Sequence, residues 1–126
     1  MGGNVSKTIA IDLDDTILDF DMNGWLEDGL DYFGEPKKDA RESLMWLRKH
    51  GHKIIIHTAR INNVVHLGYT INQMHQYVFS ILHKYRLPYD SIWTGRGKPL
   101  ADYYWDDRAR MFTTWKNMIS ELRGKP

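Results

Sequence analysis

A short apolar run near the start of the chain ends abruptly in carboxylates. Residues 9–11 are apolar and closely bounded by polar side chains, which predicts a short buried strand rather than a helix. Asp12, Asp14 and Asp15 follow at the point where such a strand would end. Carboxylates so close together repel one another, whereas a bound cation would offset their charge. In open α/β sheets ligands bind at the carboxyl ends of strands, so this segment predicts both a strand and a binding site.

The composition is typical of one globular domain covering residues 1–126. Hydrophobic residues make up 42% and charged residues 26%, which excludes a disordered chain. The formal net charge of +1 gives no general attraction to nucleic acid or to an anionic membrane. The absence of cysteine excludes disulfides, thiolate metal sites and cysteine nucleophiles. No apolar run reaches the length of a membrane span and the first residues lack a signal-peptide core, so we expect a cytoplasmic protein without membrane contact.

Segments with strand and helix patterns alternate along the chain. After an irregular segment at residues 17–34, Pro36 is expected to open a helix that Gly51 terminates. The predicted strands cover residues 9–11, 53–57, 91–94 and 101–105, and the predicted helices cover residues 36–50, 67–85 and 111–122. This alternation predicts a three-layer, Rossmann-like α/β fold with a mostly parallel sheet of about four to five strands.

Polar side chains lie at or near the ends of the predicted strands. In a parallel sheet these ends share one edge, so residues far apart in sequence are expected to converge. Carboxylates, a hydroxyl and a lysine can together hold Mg²⁺ and a phosphate group, and a carboxylate can attack phosphorus. The convergent residues are Asp12, Asp14, Thr58, Arg60, Lys98, Asp106 and Asp107.

In order and spacing these residues resemble the motifs of the haloacid dehalogenase (HAD) superfamily of phosphohydrolases. The segment from Asp12 to Thr16 matches the family's DxDxT motif, and Thr58 matches the hydroxyl of its second motif. Lys98 is similar to the lysine of the third motif, and the pair Asp106 and Asp107 to the fourth. The resemblance covers nearly the whole chain and implies a Mg²⁺-dependent phosphatase that forms an aspartyl phosphate.

The resemblance also implies a role for each matched position. Asp12 would be the nucleophile, and Asp14 would be the general acid and base. Thr58 would donate a hydrogen bond to the phosphoryl oxygens, and Lys98 would pair with both the phosphate and Asp12. The implied Mg²⁺ ligands are Asp12, the backbone carbonyl of Asp14, and Asp106, with Asp107 beside it as a ligand or as support. The implied substrate-binding residues are Leu13, Thr58, Arg60, Lys98 and Arg108.

The short intervals between motifs imply a minimal, HAD-like domain without a large cap. Residues 17–34 can form only a flap or a short helical segment. An uncapped site is open to large substrates, or a second copy of the chain can cover it, so a homo-oligomer is one expectation.

Three functions follow from the resemblance. The favoured substrate is a small phosphorylated metabolite or a nucleotide. A nucleic-acid 3′-phosphate is the alternative, because Arg60 and the segment Asp106-Asp107-Arg108 are similar to those of polynucleotide kinase phosphatase domains, and the segment also to that of 5′(3′)-deoxyribonucleotidases. The near-neutral charge disfavours nucleic acid. The third function is a non-catalytic phosphate-binding module on the same scaffold.

Ordinary structural roles compete at several positions. Asp15 is predicted to point away from the first-motif face and to support the turn, and Asp19 and Asp21 are predicted to be flap or loop residues. Thr58 could cap a following helix, and Asp102 is equally a site residue or a structural one. Arg60 and Arg108 could form only ion pairs with the carboxylates instead of contacting substrate. The remaining alternatives are Arg96 in place of Lys98, and His57 as a further site residue.

Overall fold

The computed structural model describes residues 6–58, 68–95 and 97–105, together with Trp115, Lys116 and Ile119. The described strands are β1 (Thr8–Asp12), β2 (Leu18–Asp19), β3 (Glu35–Pro36), β4 (Lys53–His57), β5 (Ser91–Ile92) and β6 (Tyr103–Trp105). The described helices are α1 (Met22–Asp28), a 3-10 turn (Gly29–Asp31), α2 (Ala40–Lys49) and α3 (Ile71–Lys84).

Four parallel strands form the main sheet in the order β5-β4-β1-β6. Within it, Ile11 of β1 pairs with Ile56 of β4 on one side and with Trp105 of β6 on the other. Ile9, Ala10 and Ile11 are each 0% exposed. Because successive strand residues face opposite sides of a sheet, both faces of β1 are covered. The protein therefore has a three-layer, Rossmann-like α/β fold, with helices flanking the sheet.

The segment between β1 and α2 forms small elements rather than a large cap. Strands β2 and β3 pair in antiparallel fashion, and α1 with its 3-10 turn lies between them. Asp19 forms an ion pair with Lys37 at 2.9 Å. The Asp21 side chain caps α1 by accepting hydrogen bonds from the backbone of Asn23 and Gly24. The predicted short helical segment is confirmed, and both aspartates make structural contacts.

Helix α3 holds this inserted segment in place. The hydroxyl of Tyr77 donates to the carbonyl of Tyr32, and the hydroxyl of Tyr85 donates to the carbonyl of Gly34. The Tyr77 ring also packs against Trp25, with ring centroids 5.6 Å apart. These contacts fix residues 32–34 to the domain.

The predicted start of α2 is wrong. Pro36 pairs with Leu18 in the small sheet, so the helix begins only at Ala40. Asp39, directly before the helix, has a φ of 67°, which reorients the chain between the strand and the helix.

The predicted start of α3 is also too early. The Thr70 side chain accepts from the backbone of Gln73, and the Gln73 side chain accepts from the backbone of Thr70. This reciprocal capping box begins the helix at Ile71. Strands β5 and β6 are shorter than expected, at two and three residues. Among the described helices, none has the length and apolar character needed to cross a bilayer.

Candidate functional site

The strand order changes direction at β1, so a crevice is expected beside the carboxyl end of this strand. From β1 the chain continues to β4 and β5 on one side, then returns to the other side of β1 as β6. Ligands in open α/β sheets bind where the strand order changes direction in this way. Asp12 is the last residue of β1, so the topology alone places it beside the expected crevice.

A tight loop follows β1 and orients the next residues. The backbone N–H groups of Ile17 and Leu18 both donate to the carbonyl of Leu13, at 3.1 and 3.0 Å. Asp15 has a φ of 63°, a conformation that aspartate tolerates better than most residues. Its carboxylate accepts from the backbone of Phe20 at 3.1 Å. Asp15 therefore supports the turn, as the sequence predicts.

Asp14 and Thr58 meet across the ends of β1 and β4. The Thr58 hydroxyl donates to Oδ2 of Asp14 over 3.5 Å, a long contact. Thr58 is 4% exposed, whereas Asp12 and Asp14 are half-buried. Parallel pairing of Asp12 with His57 places Thr58 just beyond the end of β4. Two of the predicted site residues, 44 positions apart in sequence, are therefore in contact.

Lys98 lies on the other side of β1, beside β6. Its ammonium sits 5.4 Å from the centroid of the Tyr104 ring, and the side chain is exposed. The Tyr104 hydroxyl donates to the carbonyl of Pro99 at 2.6 Å, which holds the loop against the strand. Among the described ion pairs, none joins Lys98 to Asp12 or Asp14.

Leu13 has a structural environment. Its side chain is 0% exposed in the core, and its N–H donates to the carbonyl of His57 at 3.2 Å. The predicted residues Arg60, Arg96, Asp106, Asp107 and Arg108 lie outside the described residues. Within the described part of the chain, no group of three or more histidine or carboxylate side chains is placed to hold a metal.

Asp102 lies at the opposite edge of the sheet from Asp12. Its carboxylate accepts from the backbone N–H of Thr8, the first residue of β1, at 2.7 Å. Asp90 makes the same kind of contact with the N–H of Ile54 at 2.8 Å, and also pairs with Arg48. Both aspartates therefore satisfy strand donors at the amino edge, which assigns Asp102 a structural role.

Two features at the carboxyl ends of the strands, near Thr16 and Trp93, are not found by sequence reasoning. The hydroxyl of Thr16 is buried and finds no hydrogen-bond partner among the described residues, while the Thr16 carbonyl accepts from the indole of Trp115 at 2.9 Å. Trp93 follows β5 and is half-buried, with its indole N–H donating to the carbonyl of Gly97 at 3.0 Å. The DxDxT pattern marks Thr16 without giving its environment, and the place of Trp93 depends on the sheet register.

His52, at the amino edge of the sheet, has a perturbed pKa. Nδ1 of His52 accepts from the backbone N–H of Lys7 at 3.1 Å. Burial lowers the pKa of His52, and the nearby His50 and Lys7 lower it further. This cluster lies at the start of β4, away from Asp12 and Thr58.

Comparison with known proteins supports the fold. No family model matches this chain, and no curated protein matches it. The chain is similar to a solved structure described as the conserved protein coded by a locus from Bacteroides thetaiotaomicron, with a TM-score of 0.67 and 20% identity. The match covers 97% of this chain and 93% of that chain. At this identity the similarity shows a shared architecture.

Proposed function

We propose that the protein is a Mg²⁺-dependent phosphatase of the HAD type, which hydrolyses a phosphate monoester through an aspartyl phosphate on Asp12. The observation that carries the proposal is the grouping of Asp12, Asp14 and Thr58 beside the crevice at the carboxyl end of β1. A small phosphorylated metabolite or a nucleotide is the proposed substrate.

Two carboxylates would divide the chemistry. An oxygen of Asp12 attacks phosphorus, and the bond between phosphorus and the leaving alcohol breaks. Asp14 gives a proton to the leaving oxygen. Asp14 then takes a proton from water as the water oxygen attacks phosphorus, and the bond to Asp12 breaks to release phosphate. The Thr58 hydroxyl, 3.5 Å from Oδ2 of Asp14, would donate a hydrogen bond to the phosphoryl oxygens.

The donor atoms available suit a hard cation. Mg²⁺ prefers oxygen ligands and keeps several waters, so the half-buried carboxylate of Asp12 and the backbone carbonyl of Asp14 fit it. We propose Asp106 as a further ligand, with Asp107 beside it as another ligand or as support for Asp106. When bound, the ion would neutralise charge on the transferring phosphoryl group. Lys98 would supply a second positive charge, with its ammonium moving from the Tyr104 ring toward the phosphate.

A matched pair of variants tests the nucleophile. Asp12→Asn and Asp15→Asn remove the same charge from the same motif, but Asp15 supports only the turn. We expect Asp12→Asn to reduce hydrolysis of p-nitrophenyl phosphate to background and to prevent phosphorylation of the chain, detected by mass spectrometry. Asp15→Asn should retain activity, because asparagine also tolerates a positive φ.

Three outcomes separate the candidate functions. Turnover by Asp12→Asn at the wild-type rate would refute the nucleophile assignment. Activity that survives complete removal of divalent cations would refute the role of Mg²⁺. Binding of phosphate esters without turnover by the wild-type protein would favour a phosphate-binding module.

A further inference from the structure

Trp93 lies in the same row of the sheet as Asp12. Asp12 pairs with His57, and Ile56 pairs with Ile92 in the neighbouring strand. The N–H of Trp93 donates to the carbonyl of Ile56 at 2.8 Å, which continues this register beyond β5. Because neighbouring residues in a row share one face, the carboxylate, imidazole and indole are on the same face at the carboxyl edge. Two strand spacings, about 10 Å, separate Trp93 from Asp12 along this row.

The indole ring is held in a fixed position. Its N–H donates to the carbonyl of Gly97, and its six-membered ring packs against Gly95. A Cβ atom added at Gly95 would lie 2.6 Å from Cζ2 of Trp93, so the loop follows the ring closely because residue 95 is glycine. A ligand that stacked on this ring would therefore not have to order it first.

Trp93 differs from the other tryptophans of the described chain. Trp25, Trp105 and Trp115 are 7%, 3% and 1% exposed and belong to the core, whereas Trp93 is half-buried. Trp46 is half-buried too, but His50 stacks on it with ring centroids 4.0 Å apart. Among the described rings, none stacks on Trp93. Its position and its accessible surface suit it to contact a ligand that also reaches Asp12.

We propose that Trp93 is a stacking platform that selects phosphate monoesters carrying a flat aromatic ring. The proposal rests on the phosphatase function proposed above and narrows its substrate class. The distance of about 10 Å along the row matches a phosphate joined to its ring through a short linker such as a pentose. Stacking accepts different rings because each has a π face.

Kinetics with matched substrates test the platform. Uridine 5′-monophosphate and adenosine 5′-monophosphate carry an aromatic ring on a pentose, whereas ribose 5-phosphate has the pentose without a ring. For the two ring-bearing substrates, Trp93→Ala should lower kcat/KM by about 5- to 100-fold, mainly through KM, the range typical of lost stacking. Hydrolysis of ribose 5-phosphate should not change.

Further variants separate stacking from loop integrity. Trp93→Phe keeps a ring and should retain most of the selectivity. Gly95→Ala should displace the indole and resemble Trp93→Ala. Trp46→Ala makes the same truncation on α2 and should leave selectivity unchanged.

Two results distinguish this proposal from the phosphatase function. If the wild-type protein hydrolyses all three substrates equally well and Trp93→Ala changes none of them, the platform is refuted while the phosphatase stands. If nothing is hydrolysed, the phosphatase fails, and tryptophan fluorescence tests the platform alone. Uridine 5′-monophosphate should then quench emission of the wild-type protein more than that of Trp93→Phe. Equal quenching would overturn the platform as well.

Discussion

A hydrogen bond from the Trp115 indole to the Thr16 carbonyl joins the last described helical residues to the loop that follows β1. In Trp115→Phe, the Thr16 carbonyl loses its indole donor, which lies 2.9 Å away in a buried site. An unsatisfied buried acceptor costs about 1–3 kcal/mol. The lost part of the ring adds about 1 kcal/mol, because Trp115 is 1% exposed and tightly packed. We therefore expect the free energy of unfolding to fall by about 2–4 kcal/mol.

Urea denaturation followed by circular dichroism measures this loss. For a domain of 126 residues, it corresponds to a decrease in Tm of about 8–16 °C. Trp105→Phe is the matched control, because that ring is also buried and packs against Trp115, with centroids 5.9 Å apart. No described hydrogen bond involves the Trp105 indole, so this variant should lose only the packing contribution. Equal destabilisation by the two variants would contradict the role given to the Thr16 contact.

Two further predictions concern the amino edge of the sheet. Asp102→Ala should lower the free energy of unfolding by about 1 kcal/mol, because the Thr8 N–H loses its acceptor at an exposed position. The kcat of this variant should be unchanged. A loss of turnover in folded protein would show that Asp102 acts in the candidate site. The lowered pKa of His52 means that this side chain binds a proton more readily in the unfolded chain than in the folded protein. The contribution of His52 to the free energy of unfolding should therefore be nearly constant above pH 6.5 and should decrease as the pH falls below that value. Denaturation of His52→Gln between pH 8 and pH 5 should show a shallower fall than the wild type, and identical profiles would refute the assignment.

Local pattern was sufficient for the central strands. Residues 9–11 and 54–56 are short apolar runs between polar neighbours, and they correspond to the cores of β1 and β4. The prediction that Gly51 terminates α2 is also confirmed, since its φ of 85° is the conformation that commonly follows a helix. Strong local preferences agree with the tertiary structure at these positions.

Elements that depend on distant partners could not be read in this way. Pro36 is favourable in the first turn of a helix, but it pairs with Leu18 and therefore lies in a strand. The carboxylates of Asp90 and Asp102 bind backbone donors 36 and 94 positions away, and no local pattern specifies such a contact. By contrast, the capping box of Thr70 and Gln73 is a local sequence pattern, and it predicts that α3 begins at Ile71 rather than at residue 67.

The candidate site shows the same division. Parallel topology was enough to predict that Asp14 and Thr58 would approach each other, because both follow the carboxyl ends of adjacent strands. The position of Lys98 over Tyr104 depends on the path of the loop before β6, which sequence spacing does not define. The importance of Trp93 appears only once the register of β5 is known.

The central position of β1 also has a consequence for the order of folding. This strand leaves the ribosome well before its neighbour β6, which begins at Tyr103, and Trp115 contacts a loop residue 99 positions earlier. Contacts of such long sequence separation form late, because a long loop must close before they contribute. During synthesis, the loop that carries Asp14 therefore lacks this support until Trp115 has emerged. Nascent chains that end before Trp115 should expose an incomplete acidic loop, and the crevice beside β1 should form only as the sheet is completed.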